Sequence, residues 1–307
     1  MTGHAHALPI FDTHAHVLSD DRQAYPPAKE HQGAEVEPFT GEQLLAAMDE
    51  TNVAKACVVQ RYFFYGTDNS YALDTAATNP DRLVPVVMLD SHDPDAPELL
   101  RRLVETRSVG GIRFSRPTFD TDDTGWLNSP RVMRLWERAA ELGIAVAMIM
   151  FEPHQSYNLP ALKLLAEEFP ETPILIDHLG IRQGAIASVR RQRTEPGYVP
   201  YISTDDFGIT DALRELRSCS NVHYKFTGIN LGCLVADSID PAEFLRRFAD
   251  EFGADRVVCG TDIGQTEGPY SRLVDGFRQA MSGLTPAEAE LVSFGNAERI
   301  YGRSAGR

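Results

Sequence analysis

The chain has 307 residues, 43% of them hydrophobic and 24% charged, enough for two average domains or one large α/β barrel with a sizeable buried core. A formal net charge of -15 excludes nucleic acid and anionic membrane surfaces as partners, so a small anionic substrate must be met by a local basic pocket. No run approaches a membrane span, and Cys57, Cys219, Cys233 and Cys259 lack CxxC pairing, so a cytoplasmic chain with reduced thiols is expected, with a homo-oligomer left open.

Residues 1–9 read as a loose leader, in which His4 and His6 have no strand behind them. Ile10-Phe11-Asp12-Thr13-His14-Ala15-His16-Val17 differs, because an apolar strand-type lead-in runs into two histidines at i and i+2. Alternate residues of a strand share a side, so His14 and His16 project together, with Asp12 on the same side but short of the strand end. Two co-facing imidazoles can hold a metal ion or polarise a substrate oxygen. Residues 18–40 are acidic, Pro-bearing and aperiodic, a length typical of functional lids.

From a helix over Glu42–Thr51 onward the chain alternates. Strands are expected at Lys55–Gln60, Leu83–Leu89, Gly111–Ser115, Ala145–Met150, Pro173–His178, Val222–Thr227 and Arg256–Asp262. Helices are expected at Asn69–Thr78, Asp95–Arg107, Arg131–Leu142, Pro160–Phe169, Asp211–Cys219, Glu243–Phe252, Ser271–Met281 and Ala287–Ile300. The strands are continuously apolar, as in parallel sheets covered on both faces. Eight βα units favour a (β/α)8 TIM barrel over an open doubly wound sheet, and no Gly-x-Gly-x-x-Gly turn follows the first strand. No linker divides the chain, so residues 1–307 are expected to form one domain.

In such a barrel the active site lies at the C-terminal ends of the strands. Those ends carry His14, His16, Gln60, Asp90, Arg113, Met150, His178, Lys225 and Asp262. His178 and Asp262 each end an otherwise apolar run, and Gly260 permits close approach of backbone or ligand. A lone Asp after a strand is commonly a cap or turn residue, but Asp262 shares its rim with three histidines. Ester hydrolysis needs a base for water and polarisation of a carbonyl. Asp262 is the candidate base, and His14, His16 and His178 can face the carbonyl oxygen directly or through a metal.

The ordered set of His14 and His16 on the first strand, His178 on the sixth and Asp262 on the eighth resembles the amidohydrolase superfamily. Tyr65-Gly66-Thr67-Asp68-Asn69, Gly111-Ile112-Arg113-Phe114 and Ile176-Asp177-His178-Leu179-Gly180 extend the resemblance to its lactonase-type branch, which includes 2-pyrone-4,6-dicarboxylate lactonases and sugar-lactone and muconolactone hydrolases. It spans Ile10 to Tyr301. The resemblance implies a hydrolase opening a lactone or related ring ester, with Asp262 and His178 catalytic and Arg113 gripping a substrate carboxylate. It also implies one divalent ion, zinc suiting the ligands, on His14, His16 and Asp262. Catalysis without metal is the alternative, since the branch includes members of that kind.

Departures from the pattern are informative. The fifth strand ends in Met148-Ile149-Met150 and supplies no His, with His154 further on after Pro153. Arg113 stands where a bridging lysine would end the fourth strand, so a binuclear centre is not expected. Ile263-Gly264-Gln265 replaces the Trp-Pro often found after the aspartate. Arg61 and Arg182 are further candidates for substrate binding, with Arg116 beside them, whereas Arg190-Arg191-Gln192-Arg193 reads as a solvated loop. Residues 179–210 form a second long connection. A metal-dependent non-oxidative decarboxylase on the same scaffold, and a non-catalytic ligand-binding barrel, are the competing readings.

Overall fold

The computed structural model describes residues 8–33, 35–114, 124–150, 155–181 and 202–302. Eight parallel strands follow one another around one sheet in chain order. They are β1 (Ile10–Ala15), β2 (Val53–Val59), β3 (Leu83–Val87), β4 (Gly111–Phe114), β5 (Ala145–Ile149), β6 (Ile174–Asp177), β7 (Val222–Thr227) and β8 (Val257–Gly260). With helices in the connections this is the expected (β/α)8 TIM barrel. The ring closes just beyond β8, where the Asp262 amide donates to His14 O at 2.6 Å and the His16 amide donates to Ile263 O at 3.0 Å.

The barrel interior is filled by Phe11, Cys57, Val59, Val86, Ala147, Leu175 and Val258, and Tyr301 plugs its floor. A larger apolar layer, including Leu100, Trp136, Leu162, Phe244 and Phe277, lies between strands and helices. Strands buried on both faces explain the continuous apolar runs.

The first strand departs from simple alternation. Asp12 pairs with Ala56 and Ala15 with Val58, so three steps of β1 oppose two of β2. The extra residue reverses the facing of the strand: Ile10, Ala15 and Val17 all lie in the outer layer, while Phe11 lies inside. His14 and His16 thereby turn inward without Asp12. The Asp12 carboxylate instead accepts from the Thr261 amide (2.8 Å), Thr261 Oγ1 (2.6 Å), Tyr270 OH (3.0 Å) and the His14 amide (3.0 Å), tying β1 to the segment after β8. The shared side expected from alternation is corrected by this bulge.

Several elements differ from the sequence expectation. The helix Gln155–Glu168 starts before Pro160, its first residue anchored by Gln155 Nε2 donating to the carbonyls of Met150, Gly180 and Ile181. The expected helix at Asp211–Cys219 is a turn of α-helix, Asp211–Arg214, running into a 3-10 turn, Glu215–Ser218. A helix at Gly228–Asp237 was not foreseen, because Gly-Ile-Asn-Leu-Gly-Cys-Leu-Val has no polar face to produce a 3.6-residue stripe. The loop expected as a lid is pinned at its base by the Leu18–Phe39 bridge, and the Ala28 amide donates to Phe64 O at 2.9 Å. Phe64 and Tyr65 pack beneath it with Leu18. Among the described residues no helix is long and apolar enough to cross a membrane.

Gly260 faces the interior where β8 meets β1. A Cβ there would stand 2.6 Å from His14 Cβ, closer than carbon atoms pack. Gly260→Ala is expected to destabilise the fold by about 1–3 kcal/mol by forcing the strands apart. Chemical denaturation measures this, and an unchanged midpoint would mean that the closure has slack.

Candidate metal and catalytic site

His14, at the end of β1, and His16, just beyond it, meet Asp262, which follows β8. His14 Nε2 and His16 Nε2 are 3.2 Å apart, and Asp262 Oδ1 lies 3.4 Å from the first and 3.3 Å from the second. All three side chains are buried. Asp262 adopts a left-handed φ of 56°, a costly backbone for a non-glycine residue. Its amide is held by His14 O, its carbonyl accepts from the amides of Gln265 and Thr266, and Thr266 Oγ1 donates to Oδ2 at 2.8 Å. These bonds leave Oδ1 aimed at the imidazoles.

The protonation pattern follows from the partners of the other ring nitrogens. His16 Nδ1 is 2.9 Å from Val59 O, an acceptor only, so Nδ1 carries the proton. His14 Nδ1 is 3.4 Å from Asp177 Oδ1, which favours the same tautomer. Burial pushes His14 down to about 3 and also lowers His16, so both rings are neutral. Their Nε2 lone pairs therefore face each other and Asp262 Oδ1, which accepts no hydrogen bond among the described residues. Three lone pairs this close repel unless a cation lies among them. Four ligands at about 2.0–2.1 Å in a tetrahedron stand about 3.3–3.4 Å apart, which is the spacing found. The three residues fit a divalent ion that retains an open fourth position.

Asp177 connects the site to a buried cluster. Its Oδ2 accepts from Arg113 Nε at 2.7 Å, and its Oδ1 lies 3.1 Å from Lys225 Nζ. Burial opposes the Asp177 charge, but Lys225, Arg113 and His14 outweigh it and hold the carboxyl well below its usual range. Arg113, expected to grip a substrate carboxylate, thus has its Nε engaged with Asp177 and is only 5% exposed. Asp177 and Lys225 were not singled out from sequence, although a lysine within Val222-His223-Tyr224-Lys225-Phe226 and the Asp-His pair were the available signals. Carboxylates that orient ligand histidines typically contribute 10–100-fold to metal affinity. Asp177→Asn is accordingly expected to weaken the binding of an added divalent ion by about that factor, as calorimetry measures. Unchanged affinity would leave Asp177 as a structural counter-ion for Arg113 and Lys225.

His178 follows β6 and opens three left-handed residues, with φ values of 57°, 63° and 61° at His178, Leu179 and Gly180. Asn230 Nδ2 donates to His178 O at 3.0 Å, which fixes the amide orientation and makes Asn230 Oδ1 the acceptor for Thr227 N and Thr227 Oγ1. With its proton committed there, Thr227 Oγ1 accepts from His178 Nδ1 at 2.7 Å. His178 Nε2 is thereby the acceptor nitrogen of the ring, and burial lowers the ring's pKa, keeping it neutral. In this state the ring accepts a proton rather than donating one to a carbonyl. Against the opposing effect of burial, the hydrogen bond and charge that His16, His14 and His178 supply when protonated hold Asp262 below the ordinary carboxylate range.

Arg61, just after β2, donates through Nη1 to Gln265 Oε1. Its Nε is buried without a hydrogen-bond partner, and no carboxylate pairs with it among the described residues. Arg182, Arg116, His154 and Arg190-Arg191-Gln192-Arg193 lie outside the described residues, as do residues 1–7 of the leader and most of the 179–210 connection.

Fold and site together define an enzyme-type (β/α)8 barrel with three side chains at its C-terminal rim that could hold a cation. The chain belongs to the amidohydrolase family, whose model matches residues 11–303. Comparison with curated proteins gave no match. Among solved structures it is similar to a probable 2-pyrone-4,6-dicarboxylic acid hydrolase from Acinetobacter baumannii with citric acid bound. That likeness has a TM-score of 0.69 and 19% identity, covering 96% of this chain and 100% of the other. An amidohydrolase from Burkholderia multivorans with bound zinc gives 0.65 and 18%, covering 96% and 99%. A 5-carboxyvanillate decarboxylase from Sphingomonas paucimobilis gives 0.62 and 19%, covering 96% and 99%.

Proposed function

We propose that this barrel is a hydrolase that opens a lactone or related ring ester of a carboxylated compound, with one zinc ion as its cofactor. The observation that carries the reading is the convergence of His14 Nε2, His16 Nε2 and Asp262 Oδ1 within 3.4 Å. Zinc suits two imidazoles and a carboxylate, and when bound it polarises a carbonyl and lowers the pKa of water. Asp262, ionised and locked by Thr266, takes the proton of the attacking water and returns it to the ring oxygen as the acyl C–O bond breaks. The product is a hydroxy acid. His178 Nε2 accepts the other O–H of that water and so aims its oxygen at the carbonyl.

Arg61 receives the substrate carboxylate, its fork suited to bidentate pairing. Arg182 is assigned the same task, and Arg113 contributes its positive charge while holding Asp177. Absence of an imidazole at Ile149 and buried Met150 supports hydrolysis over the decarboxylase reading suggested by the third structural neighbour. A panel of carboxylated lactones, monitored by proton release and for CO2, tests the proposal. Stoichiometric acid formation is expected. CO2 release would replace the lactonase with a decarboxylase, and binding without turnover would leave a non-catalytic barrel.

A further inference from the structure

A cleft of about 810 Å³ opens beside the site, between the helices Gly228–Asp237 and Tyr270–Met281. It is not a separate feature of the surface. Arg61, Gln265 and Thr266 line it, and Thr266 holds the Asp262 carboxylate from the other side. Gly228, at its inner wall, directly follows Thr227, the hydrogen-bond partner of His178. Further out Ile229, Leu231 and Leu273 form an apolar strip, with Glu267, Arg272 and Asp275 also lining the cleft, and Val235 is 60% exposed at the rim.

Two observations indicate what the cleft takes. Its volume lies in the range, about 300–1,000 Å³, that encloses a drug-sized ligand, far more than a bare lactone acid requires. Its neck carries Arg61, whose Nε is buried without a hydrogen-bond partner and whose Nη1 donates to the Gln265 amide; the Asp262 carboxylate acts on its charge, but among the described residues no carboxylate forms an ion pair with it. Leaving a guanidinium half-desolvated is unfavourable unless an anion completes it. Gly232 adds a third feature: it lines the cleft, and a Cβ built there meets nothing within 4 Å, so a larger side chain at this position has open space to occupy.

We propose that the substrate is an extended molecule. Resting on the hydrolase reading above, its ring ester lies at Asp262, its carboxylate on Arg61, and an apolar alkyl or aryl arm in the cleft. Gly232 sets the room available to that arm. Charge complementarity at the neck and continuity with the catalytic rim select the substrate's own arm over a second copy of the chain.

The test compares a carboxylated γ-lactone with the same lactone bearing a phenylpropyl arm, and separately measures binding of butyrate and 4-phenylbutyrate by calorimetry. The wild-type protein is expected to favour the extended member of each pair by at least about tenfold, as hydrophobic pockets do for added carbons. Gly232→Leu and Gly232→Phe should erase that preference in steps that follow side-chain volume, a gradation that loss of folding does not produce. Arg61→Met should weaken both carboxylates while leaving their ratio intact. Equal handling of the two members by wild type, or a preference untouched by either Gly232 variant, overturns the proposal. If neither lactone turns over but 4-phenylbutyrate binds in a Gly232-dependent way, the subsite stands and the hydrolase reading fails. Loss of self-association in Val235→Asp, with acid binding unchanged, would assign the cleft to a second copy and overturn the proposal.

Discussion

Asp262→Asn is expected to lower kcat by about two to four orders of magnitude, the range that a positioned general base contributes, while the fold survives. Thr266 Oγ1 donates to Oδ2, so the amide oxygen of Asn takes that position and the NH2 turns toward His14 and His16. There it donates to the Nε2 lone pairs, converting an ion-binding triangle into a neutral hydrogen-bonded one. The variant therefore loses both the base and one ligand, and zinc content should fall together with kcat. Circular dichroism checks the fold, and elemental analysis the ion. Near wild-type turnover by a folded Asp262→Asn protein that keeps its full zinc content would remove Asp262 from both roles.

Prolonged chelation is expected to abolish lactone hydrolysis, with added zinc restoring it. Because Nδ1 of His16 is committed to Val59 O and that of His14 faces Asp177 Oδ1 at 3.4 Å, the favoured tautomers leave neither ring an Nε2–H with which to polarise a carbonyl. Metal-free catalysis would require both tautomers to reverse and both Nδ1 contacts to be given up. Chelation should also lower thermal stability, because an ion bound only to the folded state stabilises it by about 2.7 kcal/mol at one hundred times its Kd. This second readout does not depend on the choice of substrate. Metal-free protein with full activity and an unshifted melting temperature would return the histidines to the role of direct carbonyl partners.

Some of this was legible from the chain by itself. Each β-strand is short, apolar and followed by a helix, and strands buried on both faces leave that signature because no solvent side needs polar residues. Barrel geometry then places every strand end at one rim, so His14, His16, His178 and Asp262 could be gathered from residues spread across the chain. The Gly228–Asp237 helix escaped notice for the converse reason: it is apolar on nearly every side, and a stripe is visible only against a polar background.

Amino-acid order alone determined the fold class and the identity of the three residues that meet at the rim, because both depend on local pattern and strand order. Tertiary structure decided what those residues can do. The facing of His14 depends on one extra residue in β1 against β2, which no alternation rule reveals. Their lone pairs depend on Val59 O, Asp177 and Thr227, partners supplied by other strands. Closure depends on contacts such as Thr261 Oγ1 to Asp12, 249 residues apart in the chain. Arg113, legible as a cation at a strand mouth, has its Nε bound to Asp177 from a strand two places away, while Arg61, at the neck of a cleft, forms no ion pair among the described residues. Protonation, pairing and exposure are properties of neighbours, and neighbours far apart in sequence exist only once the barrel has closed.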